Sequence, residues 1–213
     1  MDGCGDCAAN NPAVFAVLLM MIAGIDYGSK LVGTTVIAWA EGSVIRFLQS
    51  TKKQDADKMV LDWAAQYTPE FIMLDAPLSL PGVYRQMPGY SDYFYRVGDK
   101  LLGAMSPMFL GGLTARAMKL KDTLAQSGIE VFECYPKAVC KEENLFEHYA
   151  KSGKEAPGPF IALAVNYMNL HIDPMPELSW HHADALLALL SAFRKQRGLS
   201  CIYGDFSEGQ IWV

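Results

Sequence analysis

Hydrophobic positions alternate between two spacings along this chain, and the switches between them lay out an order of elements. The apolar run "MIAGI" ends in Asp26 and a Tyr-Gly-Ser-Lys turn, and reads as a buried first strand. The β-branched run "LVGTTVIAWA", the turn signal "EGS" and the run "VIRFLQS" predict two more strands, giving an antiparallel meander of three. "DADKMVLDWAAQY" opens with acids and spaces Val60, Trp63, Ala64 and Tyr67 at three and four, which predicts an amphipathic helix. "EFIMLD" is a short strand stopped by Asp75-Ala-Pro, followed by a long loop rich in Tyr, Pro and Gly. "LTARAMKLKDTLAQSG" places Leu113, Ala117, Leu120 and Leu124 on one helical face and ends at Gly128. "IEVFECYP" is the next strand, and helices are expected over about 137–150 and 158–170. "SWHHADALLALLSAFRKQRG" is a strong helix with a basic last turn, and "SCIYG" with "GQIWV" predicts a terminal hairpin. Strands alternating with helices in this order predict one α/β domain with a mixed sheet flanked by helices.

Composition narrows the class. Of 213 residues, 51% are apolar and 19% charged, an ordinary globular balance. The formal net charge of -5 argues against a broad nucleic-acid-coating surface and leaves room for a local basic groove. Residues 82–121 carry six Lys/Arg against Asp92 and Asp99, a formal +4 within an otherwise acidic chain. Either a polyanion-binding patch or a solvated helix face explains that stretch. Five scattered cysteines do not make a disulfide framework. Cys134, Cys140 and Cys201 read as small core residues in a reducing, cytoplasmic compartment. Cys4 and Cys7 form a lone C-x-x-C without a second pair at metal spacing. "NPAVFAVLLMMIAGI" lacks a basic leader and is too short to span a bilayer, so no membrane association or export is expected. Residues 1–19 read as an extension and 20–213 as the domain.

Three of the apolar strands end in an acid: Asp26, Asp75 and Glu133. A fourth acid, Asp184, lies at the start of the longest helix. Each has a local explanation: an Asx turn at Asp26, a loop cap at Asp75, the helix dipole at Asp184. Their recurrence favours a shared site, since ligands of open α/β sheets bind outside the carboxyl ends of parallel strands. Carboxylates that close repel one another unless a cation intervenes. Hard oxygen ligands suit Mg²⁺ or Mn²⁺, and a pair of such ions about 3.5–4 Å apart activates water and stabilises the leaving oxygen of a phosphodiester.

"GIDYGSKLVG" looks like the opening strand of RuvC-type and YqgF-type Holliday-junction resolvases, within the RNase H-like fold. "HHADALLALLSA" is similar to the closing RuvC helix. More closely, "LDAPLSLP", "RVGD", "LTARAMKLKDTLAQSG", "FECYPKA" and "ADALLALLSA", in that order, resemble domain of unknown function family 429, a predicted RNase H-like nuclease family. The resemblance covers about residues 21–213. It implies an RNase H-like fold and a Mg²⁺- or Mn²⁺-dependent nuclease, with Asp26, Asp75 and Asp184 matching the metal-binding acids. Glu133 is the acid of the family's E-x-Y-P motif. RuvC-like sites often carry an acid three residues before the final Asp, where this chain has His181, a residue able to ligate Mn²⁺ or carry a proton. The middle acid, usually Glu in resolvases, is here the shorter Asp75.

Further candidates surround these acids. Arg96 and Asp99, three apart on a helix face, could engage a phosphate and support a ligand, or form a plain surface ion pair. Lys30 could meet a phosphate, and Gly28 would let the backbone turn sharply beside Asp26. Tyr84, Tyr90, Tyr93, Phe94 and Tyr95, interleaved with Arg85 and Arg96, could stack bases or pack down on the sheet. His148 and His171 read as structural or solvent-facing. Nucleic acid is the expected partner, with a homodimer as a further option. Two other functions fit the sequence: a nucleotide-binding member of the actin–hexokinase group, and a non-catalytic domain binding nucleic acid or protein.

Overall fold

The computed structural model describes residues 21–149, 151, 155–173 and 177–213. The extension expected at 1–19, the Cys4 and Cys7 pair, and residue 20, where the domain was expected to open, lie outside these. In chain order the strands are β1 (Ile22–Asp26), β2 (Val36–Glu41), β3 (Val44–Gln49), β4 (Phe71–Asp75), β5 (Glu130–Cys134), β6 (His171–Ile172), β7 (Ile202–Tyr203) and β8 (Ile211–Trp212). The helices are α1 (Ala56–Tyr67), α2 (Val97–Leu102), α3 (Pro107–Leu110), α4 (Gly112–Ala125), α5 (Pro136–Glu142), α6 (Gly158–Tyr167) and α7 (Trp180–Gln196).

Among the described residues, these eight strands join one sheet in the order β6-β3-β2-β1-β4-β5-β8-β7. β1, β2 and β3 are antiparallel neighbours, whereas β1, β4 and β5 run parallel. This is the α/β arrangement that was expected: a mixed central sheet, its first three strands antiparallel, flanked by helices. The parallel strands are near-continuous apolar runs because both faces are covered. Alternation along them builds two cores. Ile22, Phe71, Met73 and Cys134 face α5, α6 and α7, while Ala23, Ile25, Ile72, Leu74 and Val131 face α1 and α4.

Helix α7 lies closest to β1, and Gly24 is the reason. A Cβ built there would stand 1.9 Å from the Leu189 amide nitrogen and 2.5 Å from the Ala185 carbonyl oxygen. Only glycine lets the helix backbone settle against the strand. The alanines at 183, 185, 188 and 192, all fully buried, keep the same interface thin.

Several predicted elements shift. Residues 31–35 form a turn and extended lead-in, so β2 starts only at Val36. The helix expected over 137–150 stops at Glu142, where Asn144 takes a left-handed backbone (φ 57°), and a short 3-10 turn follows at Phe146–His148. The long loop after β4 contains α2 and α3, too short to show a 3.6-residue period. β6 is an edge strand of two residues that pairs His171 with Val44. Among the described residues, no helix is long and apolar enough to cross a membrane.

Candidate metal centre

Pairing register brings the first two acids together. Asp26 and Asp75 are direct cross-strand partners at the carboxyl ends of β1 and β4, so their side chains leave the same face of the sheet. That face is covered by α7, whose second turn carries Asp184. Ser179 caps this helix, its amide donating to His182 Nδ1 (3.1 Å), so the helix starts at Trp180 and Asp184 lies beyond the first turn. Asp184 is buried and points back at the strand ends. One carboxylate oxygen from each of Asp26, Asp75 and Asp184 lies within 4.8 Å of the others.

Three carboxylates at this spacing conflict with one another. Burial raises the pKa of Asp26, offset in part by a hydrogen bond from His181, and Asp184 raises it further. Asp75 is pushed well above the usual carboxylate range, first by burial and then by the charges of Asp26 and Asp184. The chain supplies partial relief. His181 Nδ1 stands 2.6 Å from Asp26 Oδ2, and that bond raises the imidazole pKa. Tyr149 donates to Asp184 Oδ1 at 2.5 Å, and Lys151 pairs with Asp184 Oδ2. Asp75 has no such partner among the described residues. Hard oxygen donors, convergence and only partly relieved negative charge together fit a divalent cation of the Mg²⁺ or Mn²⁺ kind.

Glu133 belongs to a different site. On β5 it is paired with Leu74, one residue short of the position beside Asp75, and therefore leaves the opposite face of the sheet. Cys134 stands on the carboxylate side instead, its thiol pKa raised by burial first and by Asp75 next. Glu133 is held by Arg96 through two bonds (2.6 and 2.7 Å) and accepts the Leu78 amide at 2.8 Å. The expectation that it joins the converging acids is corrected by strand parity.

The pair Arg96 and Asp99 is likewise not an exposed one. Arg96 is 1% exposed and uses its whole guanidinium, with two bonds to Asp99, two to Glu133 and one to Ser79. Its amide also donates to Asp99 Oδ2, capping α2. Every donor is engaged, which leaves none for a phosphate. Beside this network, buried Glu208 accepts the amides of Gly82 and Val97, both at 2.8 Å, and so ties the loop after β4 to the β7–β8 connection.

The basic stretch 82–121 is mostly paired. Arg116 binds Asp57, Lys100 binds Asp92, and Arg85 donates to the Ser207 carbonyl. Lys30 pairs with Asp55, the cap of α1, at 3.1 Å. Gly28 matters for closeness and not for a left-handed turn, since a Cβ there would meet Thr34 Oγ1 at 2.2 Å. Of the loop aromatics, Tyr84 and Tyr93 meet edge to face with centroids 5.8 Å apart, and Phe94 leans on Phe109 at 5.6 Å. His148 and His171 take no part in the cluster, and His171 is exposed.

A groove of about 440 Å³ opens on two of the acids, Asp75 and Asp184, and is lined also by Tyr135, Lys137, Phe146, Tyr149 and Lys151. Tyr149 and Lys151 escaped the sequence reading, for they sit outside any apolar period or acid motif. A groove of about 470 Å³ on the Glu133 side of β5 includes none of the three acids.

No protein-family model and no curated protein matches the chain. Among solved structures, it is similar to RuvC from Thermus thermophilus, with 20% identity and a TM-score of 0.43, over 84% of this chain and 97% of that one. It is also similar to the yeast mitochondrial Holliday junction resolvase Ydc2, with 12% identity and a TM-score of 0.45, over 84% of this chain and 79% of that one.

Proposed function

We propose that this chain is a divalent-metal-dependent nuclease that cleaves phosphodiester bonds, and that it is a member of domain of unknown function family 429. The observation that carries the reading is the convergence of Asp26, Asp75 and Asp184, from two strands and a helix, within 4.8 Å. These three residues would hold Mg²⁺ or Mn²⁺. When bound, the ions supply the charge that activates water and stabilises a leaving phosphate-ester oxygen.

The remaining roles fall to the protein's own groups. His181, whose Nδ1 is engaged by Asp26, has Nε2 as the nitrogen that takes or gives a proton at the reacting centre. Arg96, Asp99 and Glu133 act as positioning residues, because Glu133 fixes the Leu78 amide three residues beyond Asp75. Lys30 exchanges Asp55 for a substrate phosphate at low cost, since exposed pairs contribute only about 0–1 kcal/mol. In this reading residues 20–213 form one domain, residues 1–19 an extension, and the protein acts in the cytoplasm, as a monomer or homodimer.

The test is cleavage of a four-way DNA junction, single-stranded DNA and an RNA–DNA hybrid with Mn²⁺, beside the Asp26→Asn variant. Metal-dependent cleavage lost on substitution is the expected result. Cleavage that persists in Asp26→Asn, or in EDTA, overturns the assignment.

A further inference from the structure

The groove beside the acids has a composition that the metal reading does not use. Asp75 and Asp184 line it together with three aromatic residues, Tyr135, Phe146 and Tyr149. Tyr149 is fixed by its bond to Asp184 and by edge contacts with Phe160 and Trp180 at 5.4 Å, a rigid mount for a ring in a binding wall. Phe146 is 41% exposed despite lying beside this cluster. Lys137 is exposed in the same groove and makes no ion pair among the described residues, whereas Lys151 beside it is held by Asp184. Aromatic faces next to an unpaired cation are the components that hold a base and its phosphate.

We infer that this groove is a subsite for one unpaired nucleotide, adjoining the phosphate at which the acids act. The inference rests on the nuclease reading and names the substrate class of that site. A volume of about 440 Å³ lies at the lower end of the roughly 300–1,000 Å³ of ligand pockets, which suits one nucleotide and not a paired helix. Rings set in a pocket reach a base only when it has left its stack. Phe146 and Tyr135 supply stacking, and Lys137 meets the adjoining phosphate. The protein therefore selects strands with an unpaired residue next to the scissile bond.

The probe is a DNA 12-mer carrying 2-aminopurine, whose fluorescence falls on stacking against an aromatic ring. It is offered as a single strand, as a one-base bulge and fully paired, to the full chain. Quenching is expected with the single strand and the bulge, and not with the duplex. Phe146→Ala is expected to abolish quenching and weaken binding roughly tenfold, the scale of one base–aromatic contact. Phe146→Trp restores both. Lys137→Ala is expected to weaken binding and reduce the salt slope by about 0.7. All three variants keep the Mn²⁺-induced rise in Tm, which reports a folded chain with its acids in place. Variants that bind and quench like the wild type, or equal quenching by the paired duplex, overturn the subsite and leave the nuclease reading standing. A wild-type chain that neither gains Tm with Mn²⁺ nor cleaves overturns the nuclease reading, and the subsite with it.

Discussion

Asp75 carries an electrostatic conflict that its neighbours only partly relieve. Burial and two neighbouring carboxylates raise its pKa against the lowering pull of Lys151, and among the described residues no imidazole or ammonium bonds it directly as His181 bonds Asp26 and Lys151 bonds Asp184. Replacing it by Asn removes the conflict together with one of the proposed metal ligands. Asp75→Asn is therefore expected to raise Tm in EDTA, at about 2–4 °C per kcal/mol for a chain of this size, and to abolish the Mn²⁺ response. Scanning calorimetry with and without Mn²⁺ checks both parts. The pH dependence follows from the same shifts. An unfolded Asp releases its proton near about pH 3.9, whereas Asp26 and Asp75 hold theirs to higher pH in the folded chain. Their contribution to stability is full below the unfolded value and is lost as pH rises through the folded ones. His181, also raised, adds a contribution that is full below about pH 6.5 and fades above it. In EDTA, the Tm advantage of Asp75→Asn over the wild type should grow with pH, and Mn²⁺ should stabilise the wild type more at pH 8 than at pH 5. A Tm difference that is flat with pH would contradict this account.

At the scale of elements, the site depends on how closely α7 approaches β1. Gly24→Ala forces a Cβ into the Leu189 backbone and is expected to cost about 1–3 kcal/mol through overpacking. It should also weaken Mn²⁺ binding, because α7 carries Asp184. Gly112→Ala in α4, where a Cβ meets nothing within 4 Å, is the control and should leave both unchanged. Urea unfolding and Mn²⁺ titration separate the two. Breaking the buried network with Arg96→Met leaves Asp99 and Glu133 uncompensated, at an expected cost of about 3–5 kcal/mol in the same urea measurement. Strand ends of this kind are legible in sequence, because an apolar run halted by an acid marks where burial stops. Parity is not legible there. "IAGID" and "FIMLD" align Asp26 with Asp75, whereas "EVFEC" runs one residue past its acid and gives the site-facing position to Cys134. Which residue faces which core is set by pairing with a strand distant in the chain. The short α2 and α3 stayed hidden for a related reason: they are held by caps and side-chain bonds and not by a period.

For the whole molecule, charge and topology set the behaviour. Net charge is -5, and most bases of the stretch 82–121 are tied to acids or a carbonyl. Binding to single strands should then show a shallow salt dependence, with a log–log slope of about -1 to -3, as for a few phosphate contacts. Fluorescence titration across a range of KCl measures it, and a slope near -7 would point to a broad basic surface. The overall α/β order could be predicted because each strand and long helix carries its own period. The groove beside the acids could not, since Tyr135, Tyr149 and Asp184 meet only after the sheet has assembled.

The contact between α7 and β1 also sets a timetable. Asp26 belongs to the first described strand and Asp184 to the last long helix, so the carboxylate cluster draws on both ends of the described chain. During synthesis, β1 and β4 can pair while α7 has yet to leave the ribosome, and the two acids then face an uncovered sheet. The long sequence separation makes docking of α7 a late event, since loop-closure entropy must be overcome first. A nascent chain thus carries two of its three acids without the third, and the complete carboxylate cluster arises only once the chain has nearly finished folding.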